Sequence, residues 1–308
     1  GRTALTRHHP PTAAPKPRLH AVMQACRRDA YTQNTSTTEN NQQTFKTVIR
    51  SIFLDIDGTL VSFNTHTIPT STVDALARAK DNGVGIYIST GRPKLLINNL
   101  GQIEDLIDGY ITTNGALCIK GETTVYCTPV PQSDIDAILA DSIASDYACL
   151  VAGERDVVLV NAKQVFTDVF VNQLNVTNID TSLPLSALNG QRILQFSPFI
   201  DAKREARLMQ LMPNCVSGRW HPAFCDITSS MADKGKGLEK MAEYLGLDIA
   251  ETMAFGDGGN DISILRRAGV GVAMGNAGDD VKQAADYVTS HVDDNGIRNA
   301  LMHYGVID

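Results

Sequence analysis

The segment SIFLDIDGTL at residues 51–60 carries an apolar run into two aspartates, Asp55 and Asp57, followed by a glycine and a threonine. Side chains two apart on a strand leave the same face, so the carboxylates are expected to sit together at the strand's end and repel each other. Such a pair either raises a pKa or recruits a cation. Other polar residues fall at comparable places: Thr90 in ISTGR, Asp257 and Asp261 in FGDGGND, and Lys234 in DKGKGL. Each ends a strand-like run or opens a helical one, where ligand sites of open α/β sheets lie. Asp55, Asp57, Asp257 and Asp261 describe an oxygen-lined cation site. With neither histidine nor cysteine in the set, Mg²⁺ is the ion that fits. Thr90 and Lys234 are surplus to metal binding and suit an anionic phosphoryl group. Lys234 is therefore expected to serve that anion and not the core.

Elements that would hold these residues can be read around them. TVIRSIFLDID reads as a buried strand, and STVDALARAKDNG as a helix striped by Val73, Leu76 and Ala79 or Lys80 that stops at Gly83. VGIYIST is the next strand, LLINNLGQIED is expected to be helical, and DGYITTNGA returns to a strand ending in a loop. After FCDIT the rhythm resumes with helix KGKGLEKMAEYLG, strand TMAFGD, helix NDISILRRA, strand GVGVAMG and helix DDVKQAAD. Such alternation implies an α/β fold, an open parallel sheet with helices on both faces. Between the two halves, helical SDIDAILADSIASD and DAKREARLMQLM mix with strand-like ACLVAG, DVVLVNA, RILQFSP and CVSGRWH. That mixture predicts a separate α+β insert of antiparallel strands with helices on one face. The expected organisation is a catalytic core from 47–129 and 226–308 with an insert at 130–225.

Composition narrows the function classes. Hydrophobic residues make up 43% and charged residues 20%, and no apolar run is long enough to cross a bilayer. The net charge of -7 is uneven: residues 1–50 hold eight Lys or Arg against two acids, leaving nineteen basic and thirty-two acidic residues beyond. An acidic body argues against a nucleic-acid partner. Six cysteines without C-x-x-C spacing read as reduced, packed side chains of a cytoplasmic protein. Residues 1–46, polar and rich in Pro, Asn and Gln, read as a disordered or non-native extension, with Met23 a candidate start.

In order along the chain stand D-x-D-G-T at 55–59, T-G-R at 90–92, K-G-x-x-L at 234–238 and G-D-x-x-N-D at 256–261. With the loops TTNGA (Asn114, Gly115) and AMGNA (Gly275, Asn276), the chain from about 48 to 308 resembles the haloacid dehalogenase superfamily. Within it, the chain is similar to the Cof-type sugar-phosphate phosphatases with a class IIB cap. The resemblance implies a Rossmann-like core with an α+β cap and a Mg²⁺-dependent phosphatase of small phosphorylated metabolites; a phosphomutase or phosphotransferase is the nearest rival. It implies Asp55 as nucleophile and Asp57 as acid and base. It places Mg²⁺ on Asp55, the Asp57 carbonyl, Asp257 and Asp261. Thr90 and Lys234 then stabilise the phosphoryl group, and Thr59, Gly91, Arg92, Asn114 and Asn260 contact phosphate or substrate. From the insert, Arg219, Trp220 and His221 are candidates for lining a pocket, and the charged run KREAR at 203–207 reads as a solvated helix face.

Overall fold

A computed structural model describes residues 48–308, and the expectations for residues 1–46 lie outside them. The chain begins with β1 (Ser51–Leu54), α1 (Thr70–Asp81), β2 (Gly85–Ser89), β3 (Gly109–Thr112), β4 (Leu117–Lys120) and β5 (Thr123–Cys127). It then enters α2 (Gln132–Ala144), β6 (Cys149–Gly153), β7 (Val157–Val160), β8 (Ile193–Pro198), α3 (Ala202–Leu211), β9 (Cys215–His221) and β10 (Phe224–Ser229). It closes with α4 (Lys234–Leu245), β11 (Thr252–Gly256), α5 (Ile262–Arg267), β12 (Val270–Ala273), α6 (Asp279–Ala284), β13 (Tyr287–Val288) and α7 (Gly296–His303).

The core is an eight-stranded sheet in the order β13-β12-β11-β1-β2-β3-β4-β5. Every residue of β1 is buried, as a central parallel strand covered on both faces must be. Ile52 and Leu54 pack toward α1 and α7 with Ala75, Leu76, Ala79, Ile297 and Leu301. Phe53 faces the other way, onto α4 and α5 through Leu238, Met241, Ile264 and Leu265. Strands β11, β1 and β2 are adjacent and parallel, so residues just beyond their carboxyl ends converge. Helix α4 starts where Asp233 accepts a hydrogen bond from the Lys236 amide and stops at Gly246, φ 67°. That cap fixes where Lys234 begins.

Three local expectations differ from the fold. The parallel sheet is extended by an antiparallel pair, β4 and β5, because Gly121 (φ 57°) opens a two-residue hairpin loop between Lys120 and Thr123. LLINNLGQIED forms only two short 3₁₀ turns, Lys94–Leu96 and Glu104–Leu106. Asn98, Asn99 and Gly101 are poor helix formers, and Gln102 instead pairs with both backbone groups of Ile68. The antiparallel sheet of the insert, ordered β7-β6-β8-β10-β9, runs past the expected boundary at residue 225 to Ser229. Its last strand is held on both sides by β8 and β9.

One face of the insert sheet carries α2 and α3 through Ile138, Val151, Leu208, Phe196 and Ile227. The opposite face is only partly covered. Leu150, Ala152, Val157 and Leu159 of β6 and β7 pack there against Phe166, Val169 and Phe170, joined by Leu96 of the core. The cysteines Cys118, Cys149, Cys215 and Cys225 are buried and unbridged, and Cys127 is unbridged and half-buried, in keeping with a packing role. Among the described residues no helix is long and apolar enough to cross a membrane.

Candidate active site

Asp55 follows the last residue of β1, with its amide on the Phe255 carbonyl of β11 at 3.2 Å. The chain turns at once through Gly58, φ 87°, where a Cβ would lie 2.2 Å from Asp257 Oδ2. Only glycine satisfies both the conformation and the approach. The turn is braced when Asn276 Nδ2 donates to the Gly58 carbonyl at 2.8 Å and Thr59 Oγ1 donates to Asp257 Oδ1 at 2.8 Å. From the end of β11, Asp261 folds back so that Oδ2 accepts the amides of Asp257 and Gly258 at 3.1 and 3.0 Å.

Lys234 is buried between these strand ends. Its Nζ donates to Asp55 Oδ1 at 2.8 Å and to Asp261 Oδ1 at 2.6 Å. The ammonium is therefore part of the buried core, contrary to the expectation that it serves only an anion. Asp55, Asp257 and Asp261 each present an oxygen, all within 4.8 Å of one another. Burial first, and then the Asp261 charge, push the Asp55 carboxyl well above its ordinary range, against the pull of Lys234. Burial, with Asp261 adding to it, pushes Asp257 up to about 6 despite the Thr59 hydrogen bond. Burial alone would lower Lys234, but Asp261 and Asp55 outweigh it and hold the ammonium above its usual value.

Three carboxylates thus face one ammonium, Asp55 and Asp261 buried and Asp257 half-buried, and the excess negative charge is only partly solvated. A cation removes that cost, and an all-oxygen donor set fits a hard divalent ion such as Mg²⁺.

Asp57 stands apart from the cluster. Its two carboxylate oxygens accept from Arg92 Nη2 and Nε, both at 2.8 Å, so the repulsion expected between Asp55 and Asp57 is relieved by a separate cation for each. Arg92 also donates to the Leu96 carbonyl at 3.2 Å. Thr90, buried at the end of β2, accepts the Arg92 amide at 3.0 Å. Asn260 Nδ2 donates to Asn114 Oδ1 at 3.0 Å, and both side chains flank Gly91. The structure thus brings Asp55, Thr59, Lys234, Asp257 and Asp261 together, with Asp57–Arg92 and Asn114–Asn260 beside them.

The candidates from the insert divide. Arg219 points to the helix-bearing face, donating to Glu205 at 2.6 Å and to the carbonyls of Ile200, His221, Pro222 and Phe224. It ties strand to helix. The same contact draws Glu205 out of the solvated face expected for residues 203–207. Arg204 of that run pairs with Asp141. Trp220 leaves from the other face and is 61% exposed.

The model of the haloacid dehalogenase-like hydrolases matches residues 52–301. The chain is 31% identical over 269 residues to the 5-amino-6-(5-phospho-D-ribitylamino)uracil phosphatase YitU of Bacillus subtilis, which spans 82% of this chain and 96% of that protein. Among solved structures, the subclass IIB sugar phosphatase BT4131 superposes with a TM-score of 0.77 at 43% identity, covering 84% of this chain and all of the other. The phosphatase BT1666 from Bacteroides thetaiotaomicron does so with a TM-score of 0.75 at 32% identity, covering 89% of this chain and all of the other. Fold, matched span and strand-end geometry converge: the chain belongs to the haloacid dehalogenase-like hydrolases, as a Cof-type phosphatase with a class IIB cap.

Proposed function

We propose that the protein is a Mg²⁺-dependent phosphatase of small phosphomonoesters, sugar phosphates first among them, acting through a phosphoryl group carried on Asp55. The observation that carries this reading is the buried Asp55–Lys234–Asp261 chain with Asp257 beside it. Mg²⁺ would be held by Asp55, Asp257, Asp261 and the backbone carbonyl of Asp57, and its charge lets an anionic carboxylate approach an anionic phosphate. An Asp55 oxygen attacks phosphorus and the ester P–O bond breaks. Asp57, two residues on, gives its proton to the departing alkoxide and then takes one from the water that attacks the acyl phosphate. Inorganic phosphate and the Asp55 carboxylate are the products of that second step. Arg92, which grips both oxygens of Asp57, orients that carboxyl group and yields an oxygen during the transfer. Lys234 and Thr90 stabilise charge on the phosphoryl oxygens, while Thr59, Gly91, Asn114 and Asn260 shape the loops around it. The cap covers the site and selects the leaving group.

Phosphate release from a panel of phosphate esters, with Mg²⁺ and with a chelator, tests the reading. Turnover is expected with the metal only. In quenched reactions with 4-nitrophenyl phosphate, whose leaving group needs no proton, Asp57→Asn is expected to gain the mass of one phosphoryl group and Asp55→Asn none. The reverse pattern would exchange the two roles, and full turnover by Asp55→Asn would refute covalent catalysis.

A further inference from the structure

On the cap face away from its helices, β8 and β10 carry polar side chains in the middle of a sheet. Ser197 Oγ donates to Asp226 Oδ1 at 2.6 Å, and the indole of Trp220 on β9 donates to Asp226 Oδ2 at 2.9 Å. Gln195 lies on the same face, 3% exposed, and its Oε1 has no hydrogen-bond partner among the described residues. Gly218, opposite Asp226 across the β9–β10 ladder, leaves space: a Cβ there would meet nothing within 4 Å. Trp220 packs edge-on against Phe224, with ring centroids 4.9 Å apart, and most of its indole stays open.

This arrangement costs stability. Burial pushes Asp226 up to about 6 against the pull of its two hydrogen bonds, and no Lys or Arg among the described residues forms a salt bridge with it. Carboxylate oxygens accept only, and each has lone pairs beyond the one bond it takes here. A ligand that completes the site must therefore bring donors, and it must not be an anion where it touches Asp226. An open indole face beside a carboxylate suits a ring or chain that is apolar on its C–H side and bears hydroxyls at its edge.

Two features set this face toward the core. Leu96, whose carbonyl Arg92 grips, packs with Leu150 and Phe224 of the same face. From β10 the chain runs directly to Asp233 and Lys234.

Resting on the phosphatase reading above, we infer that Asp226, Ser197, Gln195 and Trp220 form a leaving-group subsite that binds the hydroxyls of a polyol or sugar phosphate, with Asp226 as its principal acceptor.

Trp220 is the only tryptophan in the chain, so intrinsic fluorescence reports this subsite without requiring turnover. Hexose, pentose and tetritol phosphates, titrated in the presence of a chelator, are expected to give a saturable change in Trp220 emission. Asp226→Asn should weaken that binding roughly 10- to 100-fold, the range for a lost hydrogen bond to a charged group. In Mg²⁺-supported assays the same variant should lose a similar factor in kcat/KM on the best polyol ester, mainly through KM, and less than about threefold on 4-nitrophenyl phosphate. Equal losses on both esters, or a preference for ammonium-bearing esters such as phosphoethanolamine, would overturn the subsite while leaving a phosphatase. A silent Trp220 signal with every polyol phosphate would overturn it as well. Absence of turnover on all esters would sink the phosphatase reading, whereas the fluorescence titration would still decide on the subsite.

Discussion

The molecule withdraws carboxylates from water, fully or in part, in two places and treats them differently. In the core, Asp55, Asp257 and Asp261 gather around a buried lysine and still carry excess negative charge. In the cap, Asp226 is bonded, among the described residues, by a serine hydroxyl and an indole N–H. The first arrangement binds charge: an ammonium is already inside it, and a cation would complete it. The second offers acceptor capacity to neutral donors. A phosphate ester has these same two halves, a charged group that undergoes chemistry and a neutral remainder that identifies it. The core and cap environments match that division.

The sharpest way to break the comparison is to remove the ammonium. Lys234→Met keeps the volume of the side chain but leaves Asp55 and Asp261 facing each other in a buried site. Loss of one partner from a buried pair costs about 3–5 kcal/mol, so a large drop in melting temperature is expected, together with loss of turnover. Added Mg²⁺ should then raise the melting temperature by more in the variant than in the parent, because the cluster has gained a negative charge. Thermal denaturation with and without Mg²⁺ reads both effects. An equal Mg²⁺ increment in the two proteins would mean that lysine and cation do not share the same carboxylates.

Legibility differed between the two sites for a physical reason. Asp55, Asp57, Asp257 and Lys234 stand at strand ends or a helix start, where the polypeptide leaves the sheet and a polar residue breaks an apolar run. Their spacing is fixed by turns that need glycine at particular positions, Gly58 above all, so motif and geometry are one signal. Asp226 sits inside FCDIT, surrounded by buried neighbours, and its partners Ser197 and Trp220 come from two other strands with no spacing to link them. A hint was present, since aspartate is disfavoured in strand interiors, but only the pairing of β8, β10 and β9 shows what it faces. Position alone marks Lys234 and leaves its environment open. A sequence shows that a lysine opens α4, not that its ammonium ends between two carboxylates. Arg219 illustrates the converse, a charged residue beside Trp220 whose alternation along β9 sends it to the opposite face.

That alternation supplies a second test. Arg219→Ala removes the Glu205 pair and several bonds to backbone carbonyls, leaving acceptors near α3 unsatisfied. A loss of about 1–3 kcal/mol is expected, seen as a lower denaturant midpoint. The ranking of esters should be unchanged, because the side chain lies behind the sheet. A changed ranking at unchanged stability would place Arg219 in the pocket and remove the front-to-back distinction on which the cap subsite depends.

The smallest effect concerns what Asp226 does to stability. Its carboxyl is raised from the ordinary 3.8 to about 6, chiefly by burial, so the folded state binds this proton more tightly than the unfolded chain does. The resulting stabilisation is fully present below 3.8 and is lost as pH rises through about 6. Asparagine has no such titration. The melting temperature of Asp226→Asn minus that of the parent should therefore climb between those two values and level off above the higher one, by a few degrees in all. Asp55 and Asp257 titrate in both proteins and cancel in the difference, as does any constant offset from the altered bonds to Ser197 and Trp220, so the slope alone is diagnostic. A flat difference would show that Asp226 is as well solvated in the fold as in the unfolded chain, and the contrast between the two sites would lose its cap half. A rising one would show a carboxylate kept at a cost to stability in the cap, where its removal weakens polyol binding and strengthens the fold.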